Sequence, residues 1–178
     1  FCKSHSVGYT QLTQRTAFLK ANYPLEYLAS LLTFKGNDNI DERKQYISEA
    51  ISKGIKIFPP GINFSTNECI IVDDVIYLPL TFIKGISMTT YTAIAEERAK
   101  GPFGSVEDFC YRIDKRRVNK KVRGNLAKAG AFDKLYDRQS LLKRLFNAGD
   151  TELIMMEREV LGLYISNNII NESFYGDG

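Results

Sequence analysis

Leu80-Thr81-Phe82-Ile83-Lys84-Gly85-Ile86-Ser87-Met88-Thr89-Thr90-Tyr91-Thr92-Ala93-Ile94 decides the reading of this chain, together with Val118-Asn119-Lys120-Lys121-Val122-Arg123-Gly124-Asn125-Leu126-Ala127-Lys128-Ala129-Gly130-Ala131-Phe132-Asp133. In each stretch a glycine stands beside a short helical pattern that carries hydroxyl, amide or basic side chains. Glycine lets another backbone approach closely. Ser87 can cap the helix that follows it. A helix N-terminus together with successive backbone N–H groups makes an anion site. The pattern therefore points to phosphate binding at two places in one domain.

The charge agrees. Net charge is only +3, but Tyr111 to Gly130 holds eight bases (Arg112, Lys115, Arg116, Arg117, Lys120, Lys121, Arg123, Lys128) and one acid, Asp114. That window carries +7 and leaves the rest of the chain at −4. Such an excess can neutralise nucleic-acid phosphates and release counterions, although on charge alone a solvated helix face stays open.

Composition bounds the rest. With 178 residues, 44% apolar and 25% charged, the chain is a globular protein of one or two small domains. No run approaches the roughly 18 apolar residues of a membrane-spanning helix. Cys2, Cys69 and Cys110 form no C-x-x-C pair and read as reduced thiols, and the single His5 rules out a histidine-rich metal cluster.

The spacing predicts two helices over 10–34, broken at Tyr23-Pro24. After a loop at Gly36-Asn37-Asp38, Asn39 and Glu42 open a helix that buries Tyr46, Ile47, Ala50 and Ile51 and stops at Gly54. Ile55–Phe58 is β-rich, and 70–72 with 75–78 form a hairpin around Asp73-Asp74. Helices follow over Met88–Ala99, Val106–Ile113 behind the Ser105/Asp108 capping box, Lys120–Ala129, and Leu141–Ala148. A last one runs from its cap Asp150 to about Tyr164, with a frayed tail behind.

The two opening stretches resemble a tandem helix-hairpin-helix region. In the first, Ser87 takes the place of the usual second glycine. In the second, Gly130 is placed at the hairpin, and Gly101–Cys110 matches the connecting helix. Two such hairpins would hold phosphates of a duplex without reading bases. The residues this assigns to DNA are Lys84, Gly85, Ser87, Thr89, Lys115, Arg116, Arg117, Lys120, Lys121, Arg123, Lys128 and Gly130.

The beginning of the chain extends the resemblance. Phe1-Cys2-Lys3-Ser4-His5-Ser6-Val7-Gly8-Tyr9, followed by Thr16–Tyr27, closely resembles the fingers segment of bacterial replicative DNA polymerases, the C-family alpha subunits of DNA polymerase III. Cys2 stands where that family has Asn, and Gln14-Arg15 where it has Tyr and Gln. The resemblance implies that Lys3, Ser4, His5, Ser6 and Tyr9 lie near the incoming nucleotide. There a lysine would stabilise charge on the transferring phosphates. For His5, a packing or capping role stays open. Glu157–Ser166 resembles the family's junction into an oligonucleotide-binding barrel, which does not follow here.

The expected architecture is thus mainly α: the end of a fingers domain (1–66), a tandem helix-hairpin-helix domain with one small β-hairpin (67–150), and a helix and tail (151–178). The sequence opens inside a motif, with neither Met nor signal peptide, so a fragment of a longer polymerase is expected. The resemblance implies magnesium in the parent enzyme and no cofactor in this chain. Nothing here resembles the palm carboxylates, so the chain alone is not expected to polymerise. Asp73-Asp74 is better explained as a turn. Expected partners are duplex or primer-template DNA, the incoming deoxynucleotide, and the rest of the polymerase, in the cytoplasm at the nucleoid. A sliding clamp stays open: Gln139–Phe146 loosely matches a clamp peptide, yet Leu141, Leu142 and Leu145 fit a helix face better. A free-standing, non-enzymatic hairpin module is the alternative reading.

Overall fold

A computed structural model describes residues 3–35, 39–146, 150–163 and 165, without the side chains of 3–7, 150, 151, 153 and 154. The elements are α1 (Lys3–Asn22), α2 (Pro24–Phe34), α3 (Ile40–Ser52), β1 (Lys56–Phe58), β2 (Ile70–Val72), β3 (Val75–Tyr77), a 3₁₀ turn (Leu80–Phe82), α4 (Met88–Ala99), α5 (Val106–Arg112), α6 (Lys120–Lys128), α7 (Arg138–Phe146) and α8 (Asp150–Leu161). The fold is mainly helical with one small sheet. The loop at 36–38, the cap expected of the Asp150 side chain, and the tail from 166 lie outside the described residues.

Local chemistry sets most boundaries. Tyr23 leaves the helical region (φ −134°, ψ 56°) and Pro24 begins α2. Asn39 caps α3 by accepting from the backbone N–H of Asp41 (2.9 Å) and Glu42 (3.4 Å). Ser105 caps α5 through the N–H of Asp108 at 3.0 Å. α8 stops at Leu161, short of Tyr164, because Gly162 turns the chain with φ +84°.

The β element is larger than a hairpin. β2 and β3 pair antiparallel around Asp73 (φ 51°) and Asp74 (φ 59°). Two successive left-handed residues are what a tight two-residue hairpin turn requires. β1 then adds in parallel to the other edge of β3, with Ile57 opposite Ile76, giving the order β1-β3-β2.

The buried face of α3 also differs from expectation. Ile47 and Ala50 are buried and Tyr46 half-buried, but Ile51 is exposed and Arg43 takes the remaining inward position. Its guanidinium lies 3.9 Å from the centre of the Phe82 ring and donates to the carbonyls of Phe82 and Leu161, each at 3.3 Å. Arginine can occupy this place because its stem is apolar and its head finds carbonyl acceptors.

One core cluster runs from Leu28 and Leu32 through Ile76 and Ile94 to Leu126, Leu142 and Leu161. Phe103, Phe109 and Phe132 extend it by edge-to-face contacts at 5.0 and 5.2 Å, fixing α5 against the end of α6. Leu141 and Leu142 of α7 are buried in it, whereas Gln139, Leu145 and Phe146 are exposed. Among the described residues no helix is long and apolar enough to cross a membrane.

Candidate nucleic-acid interface

Two helix starts make the site. At the first, Gly85 (φ +87°) turns the chain out of the 3₁₀ turn, and Ile86 N–H closes the bend on Ile83 O at 3.0 Å. Ser87 caps α4, its hydroxyl accepting from Thr90 N–H at 3.3 Å. The remaining N–H groups of the first turn have no partner within the helix, and the residues around them, Ser87, Met88 and Thr89, are exposed. At the second, Asp114 organises the turn by accepting from the N–H of Arg116 (2.8 Å) and, through its carbonyl, of Val118 (2.9 Å). Asn119 then caps α6 through Val122 N–H at 3.0 Å. Lys120 and Lys121 stand exposed on the first turn of α6.

Three bonds hold these starts side by side. The Asn125 amide, buried on α6, donates to Lys84 O at 2.7 Å, and Gly85 lies directly against Asn125 and Val122. Thr90 Oγ1 donates to Arg117 O, and Arg117 Nη2 donates back to Thr89 O, both at 3.3 Å. A fourth bond, Lys84 N–H to Val160 O at 2.9 Å, ties the first hairpin to α8.

The basic residues divide by environment. Lys84, Lys115, Arg116, Lys120 and Lys121 are exposed, and their side chains make no ion pair among the described residues. Arg117 pairs with Glu96 at 2.7 Å. Lys128 pairs with Glu159 at 2.7 Å, its ammonium 5.1 Å from the Phe146 ring centre. That ammonium holds the Glu159 carboxyl below its usual range against partial burial, and Lys84 and Lys121 add to the effect. Arg112 is a structural residue: it lies over Phe103 at 4.5 Å and donates to Pro102 O at 3.2 Å and Gly101 O at 2.9 Å. Arg123 is half-buried.

Gly130 stands in the turn after α6, where the sequence reading ends that helix. It is buried. Its N–H bonds to Ala127 O (3.1 Å), the N–H of Ala131 bonds to Leu126 O (3.0 Å), and φ is +79°. This pair of bonds is a Schellman helix stop, and the Arg138 guanidinium covers it. A further turn, 114–119, stands largely exposed ahead of α6. The sequence reading passed over Asn125. Its signal was available, since asparagine competes with helix hydrogen bonds and its presence inside a helix asks for a tertiary partner.

Tyr9 is exposed on α1. Lys3, Ser4, His5 and Ser6 occupy the first turns of that helix, with their side chains outside the described atoms. Among the described residues no three His, Cys, Asp or Glu side chains converge to hold a metal ion, and Asp73 and Asp74 occupy an exposed turn. These residues do not fit a magnesium site.

Comparison with known proteins gives a consistent result. The helix-hairpin-helix motif family matches residues 54–141. DNA polymerase III subunit alpha of Deinococcus radiodurans is 32% identical over 213 residues, covering 97% of this chain and 16% of the relative. The protein of the same name from Chlamydia pneumoniae is 43% identical over 143 residues (80% of this chain, 12% of the relative), and that from Thermus aquaticus 39% over 146 residues (82% and 12%). The chain therefore spans 12–16% of the length of these relatives.

Proposed function

Since the chain is a homologue of one segment of DNA polymerase III subunit alpha and carries a helix-hairpin-helix region, we propose that it holds duplex DNA by its phosphates during replication and forms part of the nucleotide-side fingers surface. The hairpin turn at 84–87 and the turn at 114–119 each contact a backbone phosphate through N–H groups. Lys84, Lys115, Arg116, Lys120 and Lys121 supply the neutralising charge. Phosphate contacts of this kind carry no base information, so the grip is indifferent to sequence. Lys3, Ser4, His5, Ser6 and Tyr9 face the incoming deoxynucleotide in a full-length polymerase. Nucleotide addition, with its magnesium ions, belongs to parts of such an enzyme outside this segment.

One observation carries the reading. The Asn125–Lys84 and Thr90–Arg117 bonds set two capped helix starts side by side beneath five unpaired bases. The test is duplex binding across a salt series. With four or five phosphates neutralised, log K should fall against log salt with a slope of roughly −4, about 0.9 per contact. Replacing Lys115 and Arg116 together by Gln should reduce that slope by about 2, while Lys128→Gln should alter it by well under 1 because Lys128 is already paired. A flat salt response, or strong discrimination between a duplex and its scrambled form, refutes the proposal.

A further inference from the structure

A cavity of about 640 Å³ lies between α5, α6, α7 and α8, beside the duplex grip, with which it shares Lys120 and Lys121. Its volume is typical of a ligand pocket. Phe132 and Phe146 contribute apolar wall, and Lys120, Lys121 and Arg123 line the same space. Phe146 is 39% exposed, so a ring remains available at the cavity. It can lie close to α6 because residue 124 is glycine: a Cβ there would stand 3.0 Å from the Phe146 ring.

The polar lining is unbalanced. Lys128 is matched by Glu159 at 2.7 Å, but Lys120, Lys121 and Arg123 make no ion pair among the described residues. Arg123 Nε is moreover buried without any hydrogen-bond acceptor. A buried donor without an acceptor is costly, and an anionic oxygen would relieve it after a small rotation of the guanidinium. The ligand that fits is therefore flat and apolar at one end and anionic at the other. Lys120 and Lys121 also head the helix of the duplex-binding face, so the face and the cavity share these two ammonium groups.

We propose that the cavity takes one nucleotide of single-stranded DNA, its base against Phe146 and its phosphates on Lys120, Lys121 and Arg123. A basic groove combined with an aromatic platform is how proteins hold single strands without sequence preference. The proposal rests on the duplex-binding reading only for the route by which the strand arrives.

The test uses the whole chain and two labelled probes measured by fluorescence anisotropy, a twelve-nucleotide oligothymidylate and a twelve-base-pair duplex. Phe146→Ala and Arg123→Gln should each weaken oligothymidylate binding roughly tenfold and leave duplex binding within about twofold. The Lys115→Gln, Arg116→Gln double variant should do the reverse. Circular dichroism checks folding; should Phe146→Ala unfold, Phe146→Leu keeps apolar bulk while removing the ring and should still weaken the oligothymidylate. Unchanged oligothymidylate affinity in the folded variants overturns the proposal. So does an equal loss on both probes, which would make the cavity part of the duplex grip. Displacement of oligothymidylate by thymidine monophosphate, but not by an acidic peptide rich in Leu, supports it; displacement by the peptide alone overturns it. If duplex binding keeps its salt slope while the single-strand arm fails, only this inference falls.

Discussion

Gly130→Ala should unfold this chain more readily without any direct effect on DNA contact. Two costs follow from its surroundings. Alanine at φ +79° adopts a left-handed conformation, which costs about 1–2 kcal/mol. The new Cβ would also stand inside contact distance of the Arg138 guanidinium, with Nε at 2.7 Å. That guanidinium is not free to swing aside. Its Nε donates to both oxygens of Asp133 at 2.8 and 3.0 Å, and Nη1 faces the buried Glu157 at 3.6 Å. Displacing it takes an ion-pair partner from a buried carboxylate, and breaking a buried pair typically costs about 3–5 kcal/mol. The sum, roughly 4–7 kcal/mol, is comparable with the whole stability of an ordinary domain.

Urea unfolding followed by circular dichroism reads this directly. With a slope near 2 kcal/mol per molar, the midpoint should fall by about 2 M or more. A double-mutant cycle then separates the two costs. In an Arg138→Met background the clash is gone, and Gly130→Ala should cost only its backbone share of about 1–2 kcal/mol. Equal costs in both backgrounds would show that Arg138 does not sit on Gly130. An unchanged midpoint accompanied by weaker duplex binding would place Gly130 on the DNA surface and not beneath Arg138.

Asn125→Ala removes the bond to Lys84 O and should lower stability by about 1 kcal/mol. It should weaken duplex binding severalfold as well, since the first hairpin loses its tie to α6; unaltered binding would mean that the tie does not set the hairpin's position. Burial pushes the Cys69 thiol up to about 11, against opposing contributions from Thr33 and Arg43. At pH 8 iodoacetamide should therefore leave Cys69 unlabelled in the folded chain and label it in urea, as read from the mass of its peptide; rapid native labelling would contradict this. Because the folded value lies above the ordinary value of 9.0, the unfolded chain loses this proton first, and stability should decline as pH rises from about 9 toward 11. In a full-length polymerase carrying this segment, Lys3→Ala should lower kcat/KM for a single incorporated nucleotide by roughly 10- to 150-fold, the worth of one charge-assisted phosphate contact. Normal incorporation with reduced DNA affinity would instead assign Lys3 to the DNA grip.

What the sequence reveals here is whatever a few neighbouring residues decide. Pro24, Asn39, Ser87 and Ser105 stand at the starts of helices, and Gly130 and Gly162 at their stops. Pro24 acts through its own fixed φ and the others through bonds to nearby residues. Each can therefore be read in a short window, although the expected last helix runs past Gly162. The third strand is different. Nothing in Lys56–Phe58 specifies a parallel partner about twenty residues on, and the pairing forms because Ile57 and Ile76 share one core. The inward place on α3 went unread for the same reason: Arg43 is buried only because the carbonyls of Phe82 and Leu161 converge on it from distant segments.

Charge shows the same division most clearly. The window from Tyr111 to Gly130 holds eight bases, but a count cannot say which of them face solvent unpaired. Glu96 lies on α4 and takes Arg117, while Glu159 lies on α8 and takes Lys128. Arg112 is turned onto Phe103 and nearby carbonyls. The bases left exposed and unpaired, Lys115, Arg116, Lys120 and Lys121, are those at the turn and the first turn of α6, and Lys84 from outside the window joins them through the Asn125 bond. Positive charge at a helix start is unfavourable for the helix itself, since it faces the positive end of the dipole. An arriving phosphate would reverse that sign and satisfy both the lysines and the free N–H groups. The placement that costs the isolated fold something is thus the one that a DNA backbone would reward, which is why these residues, and not the full basic count, carry the functional argument.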